Sequence, residues 1–307
     1  MSELAPLPHR PVRRVAFFGT PSMAVPTLTA LCEAGFDVAL VVTRADKRRG
    51  RGSAFVPSPV KAAAVERGLT VSHRVDDVLD EHHRSPIELG VVVAFGALVK
   101  PHVLAEIPMV NLHVSLLPRW RGAAPIERAI LAGDERTGVC LMQLEEGLDT
   151  GGIIDQREMP ISDRTTAADI RTHLVREGTE MLLDHLRTGR FATRPQVGEV
   201  LHAAKVEPSE RRIDWTRPAV EISRQVRIGD AWTTLRGRRL KIHEALIASE
   251  VTEAGVPGEL IDEGVLVQCG RGVLALVEVQ AEGRPRLGAA EWRRGVRLEP
   301  GEVFDRA

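Results

Sequence analysis

The chain has 307 residues, room for one large domain or two, with about two fifths of them apolar and about a quarter charged, the balance of a globular protein that buries its own core. A formal net charge of −1 excludes a polycation, so any nucleic acid must be met by basic residues gathered locally. Cys32, Cys140 and Cys269 lie far apart, with no CxxC and no Cys/His run at zinc spacing, which excludes a disulfide framework and a zinc site and predicts buried, reduced thiols.

The start, Met1 to Pro11, is Pro-rich and polar and lacks the apolar core of a signal peptide, so it reads as a flexible leader. No apolar run is long enough to span a bilayer. A cytoplasmic protein is expected, and a monomer, since no self-associating surface is evident.

Arg13 to Gly19 reads as a buried strand ending in a glycine turn, and Ser22 to Ala34 as a helix stopped by Gly35. Asp37 to Thr43 is a second strand of the continuous apolar kind found where helices cover both sheet faces. A helix follows over Ser58 to Arg67, then strands over Gly90 to Phe95 and Met109 to Val114. This alternation predicts a doubly wound, Rossmann-like α/β domain. Gly138 to Leu144 and Ile153 to Pro160 read as further strands. Thr165 to Leu186 reads as a long helix with Ser162 or Thr165 as its cap. Beyond it, Arg190 to Arg211 is poor in apolar residues and carries Pro195, Gly198 and Pro208, as linkers do. Five short strands with turn signals follow: Trp232 to Leu235, Leu240 to Ala248, Pro257 to Ile261, Val265 to Cys269 and Val273 to Val279. The expected organisation is a leader over 1–11, a catalytic α/β domain over 12–189, a linker over 190–209 and a smaller β-rich domain, a barrel of the OB-like kind, over 210–307.

Three pieces carry chemistry. Phe18-Gly19-Thr20-Pro21 follows the first strand, but GxGxxG and GxxxxGK[ST] are both absent, so a structural turn or a pocket wall is expected before a phosphate cradle. In Asn111-Leu112-His113-Val114-Ser115-Leu116-Leu117-Pro118, the strand period puts Asn111 and His113 on one face. They fall at a carboxyl strand end, where open α/β sheets place ligands. An amide donor beside an imidazole suits a reaction that builds an oxyanion. Either residue alone is as readily a satisfied core group. Asp149 stands among Gly147, Gly151 and Gly152, which predicts a tight loop; near His113 its carboxylate would orient the ring and assist proton transfer. No metal-ligand cluster is seen.

Together, N-x-H-x-S-L-L-P followed by Asp149 in a Gly-rich D-x-G loop resembles the 10-formyltetrahydrofolate-dependent formyltransferase family. The resemblance implies that Asn111, His113 and Asp149 are the catalytic triplet and that 10-formyltetrahydrofolate is the co-substrate, with no metal. It also implies that Ser115, Leu116, Leu117 and Pro118 help hold the folate, and that Phe95, Gly96, Ala97 and Leu98 line the pterin side of the pocket. Family members differ in the amine acceptor. Arg119-Trp120-Arg121-Gly122, the opening Arg13 to Pro21, and the basic run Arg44-Ala45-Asp46-Lys47-Arg48-Arg49-Gly50-Arg51-Gly52 resemble members that act on initiator methionyl-tRNA. Arg44, Lys47, Arg48, Arg49, Arg51 and Lys205 are the implied tRNA contacts, and a loop so dense in cations is suited to neutralising phosphates. Glu207 to Trp215 resembles the family's junction into its OB-like domain, here rich in arginine.

The stretch Arg227 to Trp232 is shorter than is usual in the family, Ala45 stands where proline is common and Phe95 where tyrosine is common. The alternative acceptor is an amino-sugar nucleotide, which would not need the basic loop. A formyl-folate hydrolase and an idle RNA-binding protein on the same scaffold complete the rival readings.

Overall fold

The computed structural model describes residues 4–48, 55–249, 255–261, 265–299 and 301–305. In chain order the elements are β1 (Arg14–Gly19), α1 (Val25–Glu33), β2 (Asp37–Val42), β3 (Lys47–Arg48), β4 (Phe55–Val56), α2 (Pro59–Glu66), β5 (Val71–Ser72), α3 (Asp77–Arg84), β6 (Leu89–Val93), α4 (Pro101–Glu106), β7 (Met109–His113) and β8 (Arg121–Gly122). Then come α5 (Pro125–Ala132), β9 (Arg136–Gln143), β10 (Ile153–Pro160), α6 (Ala167–Thr188) and β11 (His202–Ala203). The rest is α7 (Ala219–Arg227), β12 (Trp232–Leu235), β13 (Arg238–Ser249), β14 (Leu260–Ile261), β15 (Leu266–Gln268), β16 (Val273–Ala281), β17 (Leu287–Gly288) and α8 (Ala289–Gly295).

The chain divides into two compact units. The first comprises residues 1–125, 136–159 and 171–204; the second comprises 126–135, 160–170 and 205–307. The cut therefore does not follow the expected boundaries. The stretch 190–209 is no free tether: its first part belongs to the first unit, where Phe191 is buried, Arg194 exchanges backbone hydrogen bonds with Ile153, and β11 pairs in parallel with β8. Low apolar content was read as a linker, but this segment is held by its backbone polar groups.

Among the described residues the first unit carries a seven-stranded sheet in the order β10-β9-β7-β6-β1-β2-β5. β1 pairs in parallel with β2 on one side and β6 on the other; β6 pairs in parallel with β7, and β7 antiparallel with β9. The strand order thus turns back between β1 and β6, the place where open α/β sheets open a crevice at their carboxyl ends. β6 and β7 are buried along their whole length, which explains the uninterrupted apolar sequence of β6. Gly90 makes room for Met109, since a Cβ there would lie 2.7 Å from the Met109 Cγ. α2 begins where expected because the Ser58 hydroxyl accepts the Lys61 N–H at 3.0 Å. α6 is capped by neither Ser162 nor Thr165: Thr166 and Asp169 cap it reciprocally, each backbone N–H donating to the other's side chain.

In the second unit a six-stranded sheet runs β12-β13-β16-β15-β14, with β17 on β16, all in antiparallel pairs. Its core stacks Trp215 on Phe304, ring centroids 5.1 Å apart, and the Trp215 indole N–H donates to Thr233. This agrees with the expected small β domain. α7 and α8 were not foreseen; both are short and rich in charged residues. No helix of the described residues is long and apolar enough to cross a membrane.

Candidate active site at the carboxyl ends of the first sheet

Asn111 and His113 project from one face of β7, two residues apart and so about 6.6 Å along the strand. Val92 of β6 pairs with Asn111, which sets the carboxamide beside the loop that leaves β6. Among the described residues no protein group hydrogen-bonds the Asn111 side chain, although the residue is buried. A buried amide without a partner in the protein is a donor and acceptor available to something else.

His113 is held from two sides. Its Nε2 donates to the Trp120 carbonyl at 2.9 Å, and its Nδ1 lies 3.6 Å from the Asp149 Oδ1. Asp149 is itself buried, and the Gly122 N–H donates to its Oδ2 at 2.8 Å. One carboxylate oxygen is thus anchored on the backbone of β8 and the other faces the imidazole. The three residues chosen from sequence come together, though His113 and Asp149 are 36 positions apart in the chain (149 − 113).

Asp149 has φ +52°, the left-handed region, which costs a non-glycine residue about 1–2 kcal/mol. The flanking glycines make that turn possible by close approach: a Cβ on Gly151 would lie 1.9 Å from the Gln143 carbonyl oxygen, and one on Gly152 would lie 2.8 Å from the Thr193 Cβ. Trp120, whose carbonyl holds His113, has φ +65°. Cys140 pairs with His113 across β7 and β9, so a thiol and an imidazole share a face. Burial pushes the Cys140 thiol up to about 11, so it stays protonated and is no nucleophile at neutral pH.

The remaining sequence candidates are placed unevenly. Ser115, Leu117 and Pro118 are buried and Leu116 half-buried. The Ser115 hydroxyl donates to the Arg119 carbonyl at 2.7 Å, and Leu117 packs with Cys140, Met142 and Ile153. These side chains shape the loop carrying Trp120 and present little surface of their own. Phe95 likewise turns inward: its ring meets Phe18 edge-on at 5.5 Å, and its carbonyl accepts the Thr20 hydroxyl. Gly96 (φ +68°), Ala97 and Leu98 are exposed at the end of β6, Leu98 to 72 %.

Arg44 is exposed, and its Nη1 lies 3.9 Å from where a Cβ on Gly96 would stand. The backbone of Lys47 and Arg48 forms β3, paired antiparallel with β4; Arg49 and Arg51 lie outside the described residues. The base of this hairpin is tied by Thr43 to Ser58 (2.8 Å) and by Lys61 to Asp46 (2.7 Å), which gives the lone acid of the basic run a structural task. Lys205 is exposed in the second unit, and its carbonyl accepts the Arg128 guanidinium. Among the described residues no group of His, Cys, Asp and Glu could hold a metal ion.

Sequence reasoning missed Trp120 and Gly122 as site members and missed Gln196 entirely. The Gln196 Nε2 donates to the carbonyls of Asp149 and Gly151, both at 2.8 Å, and its Oε1 accepts from Arg121 Nε and Nη2 at 3.1 and 2.7 Å. Beside it opens a cleft of about 410 Å³ lined by Arg121, Gln143, Thr150, Arg194 and Gln196. A glutamine between Pro195 and Val197 carries no motif, so no sequence signal could have found it.

Residues 13–186 match the formyl transferase family and residues 205–297 its C-terminal domain. A methionyl-tRNA formyltransferase of Ruegeria pomeroyi is 41 % identical over 296 residues, covering 92 % of this chain and 97 % of that protein. Among solved structures, a methionyl-tRNA formyltransferase from Clostridium thermocellum superposes with a TM-score of 0.56 at 16 % identity, covering 77 % of this chain and 94 % of that one. HypX from Aquifex aeolicus in complex with tetrahydrofolic acid gives a TM-score of 0.63 at 20 % identity over 94 % of this chain, which spans about half (48 %) of HypX. With both family segments matched and relatives near 40 % identity along almost the whole length, the chain belongs to the formyl transferase family, among its methionyl-tRNA formyltransferases.

Proposed function

We propose that this chain transfers the formyl group of 10-formyltetrahydrofolate to the amino group of methionine on initiator methionyl-tRNA, and that Asn111, His113 and Asp149 carry the reaction. The observation that carries it is the convergence at the end of β7: an unpartnered buried amide, an imidazole two residues on, and a buried carboxylate 3.6 Å from that imidazole. Their meeting is what a proton-coupled acyl transfer needs.

Each residue has a distinct task. Asn111 donates from its carboxamide to the formyl oxygen as negative charge builds there. The bond from the amine nitrogen to the formyl carbon forms, the bond from that carbon to the folate N10 breaks, and the amine proton ends on N10. His113 and Asp149 serve that proton: the imidazole edge facing the carboxylate gains and releases it, directly or through one water, while Gly122 keeps the carboxylate in place. The Nε2–H, aimed at the Trp120 carbonyl, fixes the ring orientation throughout. The exposed Gly96, Ala97 and Leu98 offer the folate an apolar shelf one strand away from Asn111, and the Ser115 to Pro118 run would contribute through its backbone. Arg44, Lys47, Arg48, Arg49, Arg51 and Lys205 supply cations for the tRNA. Arg44 stands beside Gly96 of the folate shelf.

The deciding assay offers 10-formyltetrahydrofolate with three acceptors in parallel: charged initiator tRNA, charged elongator methionyl-tRNA and an amino-sugar nucleotide. Formylation of the first alone is expected. Formylation of the sugar with inert initiator tRNA would overturn the acceptor, and no transfer to any acceptor by folded protein would overturn the reaction.

A further inference from the structure

We infer that Gln196, locked by Arg121, is a positioning residue for Asp149. The inference rests on the role proposed above for that carboxylate. Gln196 lies between the two matched segments, 13–186 and 205–297, so neither accounts for it.

The argument begins with the strain at Asp149. A non-glycine residue at φ +52° relaxes unless its neighbourhood over-determines it. The carbonyls of Asp149 and Gly151 both turn toward Gln196, whose two Nε2 protons take one each at 2.8 Å. A carboxamide has no more than two such protons, so both are committed to this loop. Which way the carboxamide faces is set by Arg121: two of its nitrogens bind the Oε1, leaving Nε2 toward the carbonyls. Arg121 and Gly122 form β8, and Gly122 donates to the Asp149 carboxylate. Two adjacent residues therefore fix both ends of Asp149, one directly at the carboxylate and one through Gln196 at the backbone. β8 is steadied by its parallel pairing with β11, just beyond Gln196 in the chain.

The consequence is specific. Without the Gln196 amide the loop loses two hydrogen bonds that hold a strained conformer, and the carboxylate drifts relative to His113. A misplacement of about 1 Å costs on the order of 100-fold in turnover. Gln196 is not part of the Gly96 to Leu98 shelf or the basic hairpin, so the loss should fall on kcat with little change in KM. Arg121 thereby gives two of its nitrogens to Gln196.

The test is a double-mutant cycle in the full-length protein, read by single-turnover formyl transfer to charged initiator tRNA. Gln196→Ala should lower the rate by roughly 10- to 100-fold, with KM for either substrate little altered. In an Asp149→Ala background the same change should be nearly silent, because the residue it positions is gone. Gln196→Met, which keeps the length and removes the donors, should match Gln196→Ala and serves if the alanine variant does not fold. A wild-type rate in either folded variant overturns the inference, and so does an equal fractional loss with and without Asp149, which marks a merely structural role. A wild-type rate in Asp149→Ala alone would instead sink the catalytic proposal on which the inference rests.

Discussion

Replacing Gly151 by alanine tests how tightly the Asp149 loop is seated. The added Cβ would stand 1.9 Å from the Gln143 carbonyl oxygen and 3.3 Å from the Glu145 Cγ. Ordinary contact begins near 3.4 Å, so something must move by about 1.5 Å (3.4 − 1.9). Gln143 is the less yielding side, because β9 is bonded to β7 with Gln143 opposite Val110. The loop therefore gives way, carrying the Gly151 carbonyl off the Gln196 amide and shifting Asp149 two residues before it. Overpacking of this kind costs about 1–3 kcal/mol, or a melting temperature lower by several degrees in a domain of this size. The displacement exceeds the roughly 1 Å that costs on the order of 100-fold in rate, so turnover should fall by at least that factor. Single-turnover formyl transfer and a thermal melt followed by circular dichroism read the two effects separately. Gly295→Ala is the control, since its Cβ meets nothing within 4 Å. A folded Gly151→Ala variant with wild-type turnover would refute the reasoning, because it would mean that the carboxylate position does not matter.

Three further outcomes are expected. Asn111→Ala should lower kcat by about 100- to 1000-fold, the usual loss for one oxyanion donor, with melting temperature little changed; steady-state kinetics with a melt checks both. Neutralising Arg48, Arg49 and Arg51 should weaken tRNA binding and reduce the log–log salt slope by about 2, at roughly 0.7 per single-strand phosphate contact; filter binding over a salt series reads it, and an unchanged slope returns the loop to a solvated surface. Arg128, bonding Glu210 through its guanidinium, holds that carboxyl below its ordinary value of 4.5, helped by the Glu207 N–H. A depressed carboxyl stabilises above the unfolded value and ceases to as pH falls through the folded one, so Glu210→Gln should flatten the acid-side decline in melting temperature below about pH 4.5. The pair is partly exposed, so the variant should melt only slightly below the parent near pH 7, and that gap should close as pH falls below about 4.5.

What was legible in the sequence is what repeats locally. The continuous apolar runs of β1, β2 and β6 announced a buried parallel sheet because both sheet faces are covered, and Ser58 announced α2 because capping is a three-residue affair. Asn111 and His113 were legible for the same reason: the strand period alone puts them on one face. Short helices such as α3, α4 and α8 escaped because six to eight residues span barely two turns, too few for a stripe to stand out. The support of Asp149 escaped for a deeper reason. Gly122 and Gln196 reach it from 27 and 47 positions away, through one backbone N–H and one side-chain amide that have no preferred spacing. The reacting side chains of such a site can therefore be read from a motif, whereas the geometry that makes them reactive is written in backbone contacts that only the folded chain displays. The same division bears on Phe95 and the Ser115 to Pro118 run: their side chains are mostly buried, Phe95 against Phe18 and Ser115 bonded to the loop that carries Trp120.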